Sequence, residues 1–445
     1  MAMSNTLSET RLAIDGGPPV RREPLPLEFP GVHFMGEEEV EAATRVLRSR
    51  SPFRFYGVDL QGEVSSFEKE FADFIGIQHA VAVSCGTGAL LTALGALGVG
   101  PGREVIVPAY LWVSVAAAVV NRGAIPVVAD IDDTFCLDPE AVERAITPRT
   151  AGIILVHMSG APGNAPAIAE VARRHSVFLL EDCAQCAGGA INGRKVGTFG
   201  DIAIYSFQMN KNMTAGEGGC VVTNDERLYR RAYACHDLGY ARDPEGRLAF
   251  QDAECCLWGM GYRMDEIRGA ILRVQLRKLP AITASMRRSK YRIRHAIQRC
   301  EGLALRRTQD EEGDTGCFLI TTYRDAETAK WVCQALKAEG IGTSPQGISN
   351  VVMTDWGLHI YSNIPSLVQR TSVDSQGFPW SHPANAGLGR GCAHGACPKA
   401  DDLFSRSIIV PIPSCLSTQD EDDIIAAFEK VMAAQEARRS SARIS

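Results

Sequence analysis

The sequence has no uninterrupted apolar run that approaches the roughly 18 residues of a membrane-spanning helix, so no membrane span is expected. It also lacks an excess of charge: 46 Lys and Arg stand against 52 Asp and Glu, a formal net charge of −6. Nucleic acid and anionic lipid bind strongly basic surfaces, and this composition predicts no such surface. The N-terminus, MAMSNTLSETRLAIDGG, lacks the basic start and the apolar run of a secretory signal, so export is not expected.

Cysteine, by contrast, is abundant, and its placement bears on the cellular compartment. Many of the 14 cysteines lie inside apolar runs such as Gly219-Cys220-Val221-Val222. Cysteines in such runs are typical of small buried residues in a reducing compartment rather than of a disulfide framework. We therefore expect a cytoplasmic protein.

Short β-branched runs alternate with helical stretches between about residues 79 and 224. The predicted strands are His79–Ser84, Glu104–Val107, Ile125–Asp130, Gly152–His157, Ser176–Glu181, Ile202–Phe207 and Cys220–Thr223. The predicted helices between them are Gly88–Leu97, Trp112–Arg122, Pro139–Ala145 and Asn164–His175. Continuous apolar strands that alternate with helices are typical of an α/β domain, in which helices cover both faces of a mostly parallel sheet.

The pattern changes after a helical, arginine-rich stretch from Met264 to Arg299. A smaller α+β unit is expected there, with strands at Gly316–Tyr323 and Ser407–Pro411 and helices at Ala326–Glu339 and Gln419–Ala434. The segment Asn350–Pro398 has little periodicity, which indicates a functional or a disordered loop. A chain of 445 residues exceeds the roughly 250 to 300 that one core fills. We divide it into an N-terminal arm (1–35), a large domain (36–280) and a small C-terminal domain (281–445) with a long loop region at about 350–398.

Ligands of an open parallel sheet bind beyond the carboxyl ends of its strands, and three of these ends are unusual here. Ser84–Ala89 is a Gly-rich turn that opens a helix, where free N–H groups can hold a phosphate or simply make a tight turn. Glu181-Asp182 ends an apolar strand, either as a functional carboxylate or as a helix N-cap by Asp182. Lys211 follows another strand, either as a low-pKa amine or as an exposed loop lysine.

The three signals are chemically complementary, because together they supply an anion cradle, a carboxylate and an amine. Pyridoxal phosphate needs that set: the cradle holds its phosphate, the lysine condenses with its aldehyde, and the carboxylate keeps its ring nitrogen protonated. At these residues the sequence resembles the DegT/StrS family of pyridoxal-phosphate sugar aminotransferases, from roughly Gly16 to Leu279. The resemblance is carried by SFQMNKNMTAGEGG at Ser206–Gly219, EDCAQ at Glu181–Gln185, SCGTGAL at Ser84–Leu90 and VIVPAYLWVS at Val105–Ser114.

The resemblance implies a fold type I transferase that uses pyridoxal 5'-phosphate. It implies amino transfer from glutamate or glutamine to a keto-sugar or keto-cyclitol, in a homodimer with active sites at the interface. Two residues are implied as catalytic, Lys211 as the Schiff-base and proton-transfer lysine and Asp182 as the partner of the pyridine nitrogen. The remaining cofactor contacts would be Gln185 near the phenolic oxygen, Trp112 on the ring, and Gly86, Thr87 and Ser206 on the phosphate.

Two departures from the family pattern bear on function. Gly261 stands where the family commonly has an Asn that reaches the partner's cofactor phosphate, which leaves that contact open. His157-Met158-Ser159-Gly160 replaces a His-Leu-Tyr-Gly element, which bears on contacts with the acceptor. Lys211 itself favours transamination, because family members that dehydrate sugars have His there. A dehydratase or eliminase, and a non-catalytic binding protein on the same fold, remain alternative interpretations.

Three further clusters are assigned structural roles. Cys392, His394 and Cys397 offer three zinc ligands without an obvious fourth, so no metal is expected. Cys183 and Cys186 form a CxxC that we interpret as packing residues. The basic run from Arg287 to Arg294 is interpreted as a solvated helix face, with contact to an anionic substrate as the alternative.

Overall fold

The structure, a computed structural model, describes residues 11–243, 246–343 and 347–441. Its largest sheet has seven strands: β1 (His79–Val83), β2 (Glu104–Pro108), β3 (Ile125–Ala129), β4 (Thr150–Val156), β5 (Phe178–Asp182), β8 (Ile202–Ser206) and β9 (Gly219–Thr223). The strand order is β1-β9-β8-β5-β4-β2-β3. Strand β9 is antiparallel to both of its neighbours, and the other strand pairs are parallel. The predicted mostly parallel sheet is thus confirmed.

Helices cover both faces of this sheet. They are α1 (Glu37–Ser49), α2 (Glu63–Ile75), α3 (Gly86–Ala96), α4 (Val113–Asn121), α5 (Pro139–Ala145), α6 (Ala165–His175) and α7 (Glu226–His236). Successive residues of β2 show the layering: Val105 and Val107 pack in one core with α3 and α4, while Ile106 packs on the other face with α5 and α6. This alternation makes both faces apolar and explains why the strands are continuous apolar runs in sequence.

Two short hairpins project from the large sheet region, β6 (Ala190–Ile191) with β7 (Arg194–Lys195) and β10 (Ala241–Arg242) with β11 (Leu248–Ala249). The 32-residue helix α8 (Glu266–Ile297) then continues through Pro280 toward the C-terminal part. It confirms the helix predicted from Met264 to Arg299. The proposed domain boundary near residue 280 falls inside this helix, and the division into domains stays a prediction.

A second, antiparallel sheet of four strands forms the C-terminal α+β unit. Its strands are β12 (Ala304–Leu305), β13 (Phe318–Thr322), β14 (Val351–Val352) and β15 (Ser407–Pro411), and its helices are α9 (Ala326–Ala338), α10 (Pro365–Val368), α11 (Pro398–Ser405) and α12 (Thr418–Ser441). The described part of the N-terminal arm joins this unit: Arg21 N–H donates to the Glu339 carbonyl, and Leu25 pairs with Thr343. Single-turn 3₁₀ helices lie at Ala13–Asp15, Val32–Phe34, Met158–Gly160, Ala253–Cys255, Met353–Asp355, Gly357–His359, Tyr361–Asn363 and Pro383–Asn385.

The segment Asn350–Pro398 is ordered and packs against the large sheet. The side-chain oxygen of Asn385 accepts the Gly102 N–H at 2.5 Å, and its amide donates to the Gly123 carbonyl at 3.0 Å. The Glu104 carboxylate accepts the N–H of Gly389 at 2.9 Å. The sequence offered a functional or a disordered loop, and these contacts exclude the disordered alternative for the described residues. Across the described ranges, no helix combines the length and the apolar character that crossing a membrane requires.

Candidate active site

A cavity of about 800 Å³ lies at the carboxyl ends of β1, β5 and β8. It is also lined by Glu28 and Pro30 of the N-terminal arm and by residues of the C-terminal unit and the 350–398 segment. The structure brings every residue named as a cofactor contact to this one cavity: Gly86, Thr87, Trp112, Asp182, Gln185, Ser206 and Lys211. Because parallel strands end at one sheet edge, residues more than 100 positions apart in sequence converge there.

The turn between β1 and α3 forms the base of the cavity. Cys85 occupies the N-cap position of α3, and its sulfur accepts the N–H of Gly88 at 3.3 Å. A Cβ on Gly86 would lie 2.8 Å from the Cβ of Ser206, so only glycine fits between the helix and the end of β8. The hydroxyl of Thr87 donates to that of Ser114 at 2.9 Å. The first N–H groups of a helix have no acceptor within it, which makes this turn suited to an anion.

Asp182 ends β5 and is 3% exposed. Its Oδ1 accepts the N–H of Ala184 at 3.0 Å, within a turn that leads to no helix, so the helix N-cap interpretation was wrong. Burial raises the pKa of this carboxyl above its usual value, against the opposing effects of the Ala184 N–H and the charge of Lys211. The cavity therefore contains a carboxylate whose ionised form is incompletely stabilised by the protein.

Glu181, the preceding residue, is fully buried and points away from the cavity into a complete set of donors. The imidazole Nδ1 of His157 accepts the Gly163 N–H, so its Nε2 donates to the Glu181 carboxylate at 3.0 Å. Backbone N–H groups of Gly197, Phe199 and Gly200 complete the set at 2.6 to 2.9 Å. Burial alone would raise the pKa of Glu181, but these hydrogen bonds hold it below its usual value. Glu181 is thus a structural anion.

Lys211 lies in the turn that follows β8, where its N–H donates to the Gln208 carbonyl at 2.9 Å and its carbonyl accepts the Gly31 N–H. Burial lowers the pKa of the Lys211 amine, while the charges of Asp182 and Glu217 raise it. Within the part of the chain that the structure describes, the Nζ atom has no hydrogen-bond or ion-pair partner. An amine with a lowered pKa and no partner is available as a nucleophile and as a proton carrier.

The side chain of Gln185 is held by His157–Gly160, the element in which the sequence departs from the family pattern. The backbone N–H of Ser159 donates to its Oε1 at 3.0 Å. Ser159 has a positive φ of 56°, an uncommon conformation for a residue with a side chain, and its hydroxyl lies 2.7 Å from that of Tyr110. The altered element therefore still orients a side chain of the cavity.

Trp112 precedes α4, is 44% exposed and lines the cavity. Its ring lies 4.7 Å from that of His359, which is stacked on Trp356 at 4.9 Å and 26°. The sequence did not identify Trp356 and His359 as site residues, because they lie in the 350–398 segment, which has no periodicity or motif that marks a site. It also missed Cys317 and Phe318, which reach the cavity from the start of β13.

The sequence matches the DegT/DnrJ/EryC1/StrS aminotransferase family over residues 34–350. The chain belongs to this family. It is 35% identical over 441 residues to an L-glutamine:2-deoxy-scyllo-inosose aminotransferase of Micromonospora echinospora, a match that covers 95% of this chain and 98% of that protein. The enzyme of the same name from Streptomyces kanamyceticus is 41% identical over 291 residues, or 63% of this chain and 66% of that protein.

Solved structures agree with the family match. The crystal structure of DesV from S. venezuelae, in complex with a ketimine intermediate, is 28% identical, with a TM-score of 0.73, and the match covers 92% of this chain and 99% of that one. The predicted family, the fold type I architecture and the assignment as an aminotransferase are therefore confirmed. Aminotransferases of this family depend on pyridoxal phosphate.

The two cysteine-containing clusters of the sequence analysis have no assigned role in the reaction of this aminotransferase. Cys183 and Cys186 are buried free thiols, as expected of packing residues. Cys392 and Cys397 are also buried, but His394 is exposed, and these three do not form a ligand group among the described residues.

The basic run in α8 differs from the expectation. Lys290 is buried and paired with Asp314, so the interpretation of this run as a solvated face was wrong at that position. Arg292 pairs with Glu421 at 2.9 Å. No residue of the basic run lines the cavity, so contact with an anionic substrate there is not supported.

Proposed function

We propose that this chain is a pyridoxal-phosphate aminotransferase that moves an amino group from glutamine or glutamate to the keto group of a cyclitol or sugar. The observation that carries the proposal is the pairing, in one cavity, of the unpartnered Lys211 amine with the buried Asp182 carboxylate. The named relatives, which act with L-glutamine on 2-deoxy-scyllo-inosose, support this donor and this class of acceptor.

The residues of the cavity fit the cofactor. The base of the cavity leaves no room for a side chain at Gly86, and the N-terminus of α3 offers N–H groups and the Thr87 hydroxyl for a phosphate. Asp182 has a pKa raised by burial, and a cationic ring nitrogen would supply the charge that restores its ionised form. Trp112 and Gln185, which also line the cavity, would supply an aromatic side chain and a polar side chain to the cofactor.

When bound, pyridoxal phosphate supplies an aldehyde carbon that carries the amino group and a ring that accepts electron density. Lys211 would hold the cofactor through its aldehyde, and its Nζ would move a proton from the α-carbon of the donor, a role that a lowered pKa favours because the amine is then neutral and can accept a proton. Asp182 would pair with the ring nitrogen and keep it protonated. Lys211 would move a proton in the opposite direction for the keto acceptor.

The proposal is tested by following the two half-reactions separately. Glutamine added to the cofactor-loaded protein should change its visible spectrum and release one oxo acid per site, and 2-deoxy-scyllo-inosose should then restore the spectrum. Lys211→Ala should abolish both changes. Lys195→Ala is the matched control, because burial also lowers the pKa of Lys195 but its side chain lies outside the cavity. Elimination without an amino donor would instead support the dehydratase alternative, and a colourless, unreactive protein would support the non-catalytic one.

We also propose that the chain functions as a homodimer. Large apolar side chains are exposed around the segment that precedes Gly261, including Trp258 at 93%, Tyr56 at 71% and Phe250 at 66%. Exposed aromatic residues in such number are typical of a surface that another chain covers. Gly261 itself has a φ of 69° and open space where a Cβ would lie, which leaves room for a partner. Light scattering should give twice the subunit mass, and an active monomer would contradict the shared-site arrangement.

A cytoplasmic location remains part of the proposal. All 14 cysteines are free thiols, and most of them are buried in the cores. Free buried thiols support the expectation of a reducing compartment. Thiol titration of the unfolded protein without reductant should count 14 reactive groups, and a lower count would indicate disulfides.

A further inference from the structure

We propose that Glu28 selects the amino donor, so that the cavity accepts the side-chain amide of glutamine and rejects the side-chain carboxylate of glutamate. Glu28 belongs to the N-terminal arm and lines the cavity, but neither the cofactor contacts nor the proton transfer uses it. This inference rests on the proposed function, because it names a specificity-determining residue of the same site. It turns the open choice between the two donors into a preference for one.

Glu28 is a buried carboxylate without a cationic partner among the described residues. It is 5% exposed, and its Oε2 accepts the backbone N–H of Ile348 at 2.8 Å. Its Oε1 accepts no hydrogen bond from the described residues, yet it is not sealed off from solvent. A carboxylate offers about four acceptor positions, and leaving most of them unused in a buried place is costly. A ligand group that donates hydrogen bonds would therefore bind favourably at Glu28.

The course of the arm places Glu28 near the reacting lysine. Gly31, three residues after Glu28, donates its N–H to the Lys211 carbonyl at 3.3 Å. Three residues of extended chain span at most about 11 Å, so the backbone of Glu28 lies within that distance of Gly31. The carboxylates whose charges act on the Lys211 amine are Asp182 and Glu217. Glu28 is thus suited to the far end of a donor whose α-carbon lies at Lys211.

The two donors share an α-carboxylate, and the described lining offers a cation for it in Arg268. The Nε atom of Arg268 lies 3.5 Å from the Asp265 carboxylate, and the two side chains are 34% and 39% exposed. An ion pair that is so long and so open to solvent is weak. The Arg268 guanidinium is therefore available to the α-carboxylate of either donor.

The side chains of the two donors meet different conditions. The second carboxylate of glutamate would find no further cation in the described lining, because Lys211 serves the chemistry and burial lowers the pKa of His359 to about 4. It would instead meet the like charge of Glu28. The amide of glutamine is neutral, and its N–H groups can donate to Glu28. An unpaired like charge is a means of rejecting the wrong ligand, so the lining favours glutamine.

Glu28→Gln tests this assignment, because the new amide can still accept the Ile348 N–H but carries no charge. In single-turnover reactions of the cofactor-loaded protein, the wild type should react faster with glutamine than with glutamate. The variant should lower the ratio of the two rate constants at least about tenfold, mainly through a faster reaction with glutamate. Glu23→Gln is the matched control, because Glu23 is an exposed carboxylate of the same arm outside the cavity, and it should keep the wild-type ratio.

Binding without turnover provides a second measurement. 2-Methylglutamine and 2-methylglutamate have no α-hydrogen to transfer, so a spectral titration gives their dissociation constants. The wild type should bind the glutamine analogue at least about tenfold more tightly, and Glu28→Gln should narrow this difference. If Glu28→Gln does not fold, Glu28→Asp replaces it. That variant keeps the charge but shortens its reach, so it should weaken binding of the glutamine analogue while the glutamate analogue stays weak.

The possible failures are distinguishable. Equal use of both donors by the wild type, or an unchanged ratio in Glu28→Gln, would overturn the role of Glu28 and leave amino transfer intact. A lower kcat/KM for 2-deoxy-scyllo-inosose without a change in the donor ratio would assign Glu28 to the acceptor and would also overturn it. Failure of the wild type to release an oxo acid from either donor would instead overturn the proposed function.

Discussion

Replacing Asp182 with Asn separates the catalytic role of this carboxylate from its structural role. The amide oxygen of Asn can still accept the Ala184 N–H, which is 3.0 Å from Oδ1 in the wild type, so the turn after β5 should persist. The negative charge is lost, and with it the group that would keep a cofactor ring nitrogen protonated. The variant is therefore expected to fold normally and to transaminate poorly.

The expected changes in reaction rate and in folding stability differ in sign and in size. Loss of one charge-assisted hydrogen bond at the reacting group costs about 1.5 to 3 kcal/mol. Each 1.36 kcal/mol is about tenfold in rate, so each half-reaction should slow by about 10- to 160-fold. The cofactor-free protein should be no less stable, because burial raises the pKa of Asp182 and so penalises its charged form. Asp182→Ala also removes the hydrogen bond to Ala184 and should be less stable than the Asn variant by about 1 kcal/mol.

The stability difference has a defined dependence on pH. A raised pKa means that the folded protein holds the proton of Asp182 more tightly than the unfolded chain, whose value is near 3.8. The penalty of the charged form is therefore absent below pH 3.8 and complete above the raised pKa. Relative to the wild type, Asp182→Asn should gain stability over that interval and keep the gain at neutral pH.

Urea denaturation of the cofactor-free proteins and single-turnover spectra of the loaded proteins measure the two effects. The Ala variant is the control for loss of the turn, and the cofactor content of each protein is determined alongside. A variant Asp182→Asn that retains most of the wild-type rate would refute the catalytic assignment. Reduced stability together with that retained rate would show that Asp182 serves the turn alone.

Two further predictions concern the cofactor site. Gly86→Ala should weaken the binding of pyridoxal phosphate at least about tenfold, because the new Cβ would lie 2.8 Å from the Cβ of Ser206. Gly391→Ala is the control, because a Cβ there meets open space and should leave the binding unchanged. Equal dissociation constants for the two variants in a fluorescence titration would contradict the assignment of Gly86 to the phosphate site. The rate at which pyridoxal phosphate condenses with Lys211 of the cofactor-free protein should rise with pH with a midpoint below 10.5, because burial lowers the amine pKa and the neutral amine attacks the aldehyde. Borohydride trapping at one fixed pH and mass spectrometry of the labelled peptide measure the extent of condensation, and a midpoint at or above 10.5 would count against the assignment.

The strands of the large sheet could be predicted because each is buried on both faces. Such strands are near-continuous apolar runs, and their predicted bounds agree with the structure to within two residues. The residues that follow them could be predicted to converge, because the carboxyl ends of parallel strands share one edge. The order of the strands required the structure, since continuous apolar runs do not indicate which runs are neighbours.

The low periodicity of the 350–398 segment indicated a functional or a disordered loop, but the residues that it places in the cavity could not be predicted. Its position depends on single hydrogen bonds to distant loops, such as those of Asn385 to Gly102 and Gly123, and these have no periodic signature in sequence. Trp356 and His359 therefore showed no sign of belonging to a site. The arm residue Glu28 was missed for a related reason: its carboxylate accepts the N–H of Ile348, 320 positions away.

Strand pairing supplies the physical reason for the different roles of Glu181 and Asp182, the two adjacent carboxylates of β5. Successive residues of a strand point to opposite faces, so only one of Glu181 and Asp182 can face the cavity. The parallel register of β4 and β5 pairs Val156 with Asp182, which brings His157 to the side of Glu181 that faces away from the cavity.

Hydrogen-bond donors satisfy the Glu181 carboxylate and lower its pKa. The Asp182 carboxylate is left with a single backbone N–H donor and a raised pKa. A protein that needed no further partner there would do better with a neutral residue, because an incompletely paired buried charge is destabilising. The raised pKa of Asp182 and its single backbone donor therefore favour a cationic group that completes the site when the cofactor is bound.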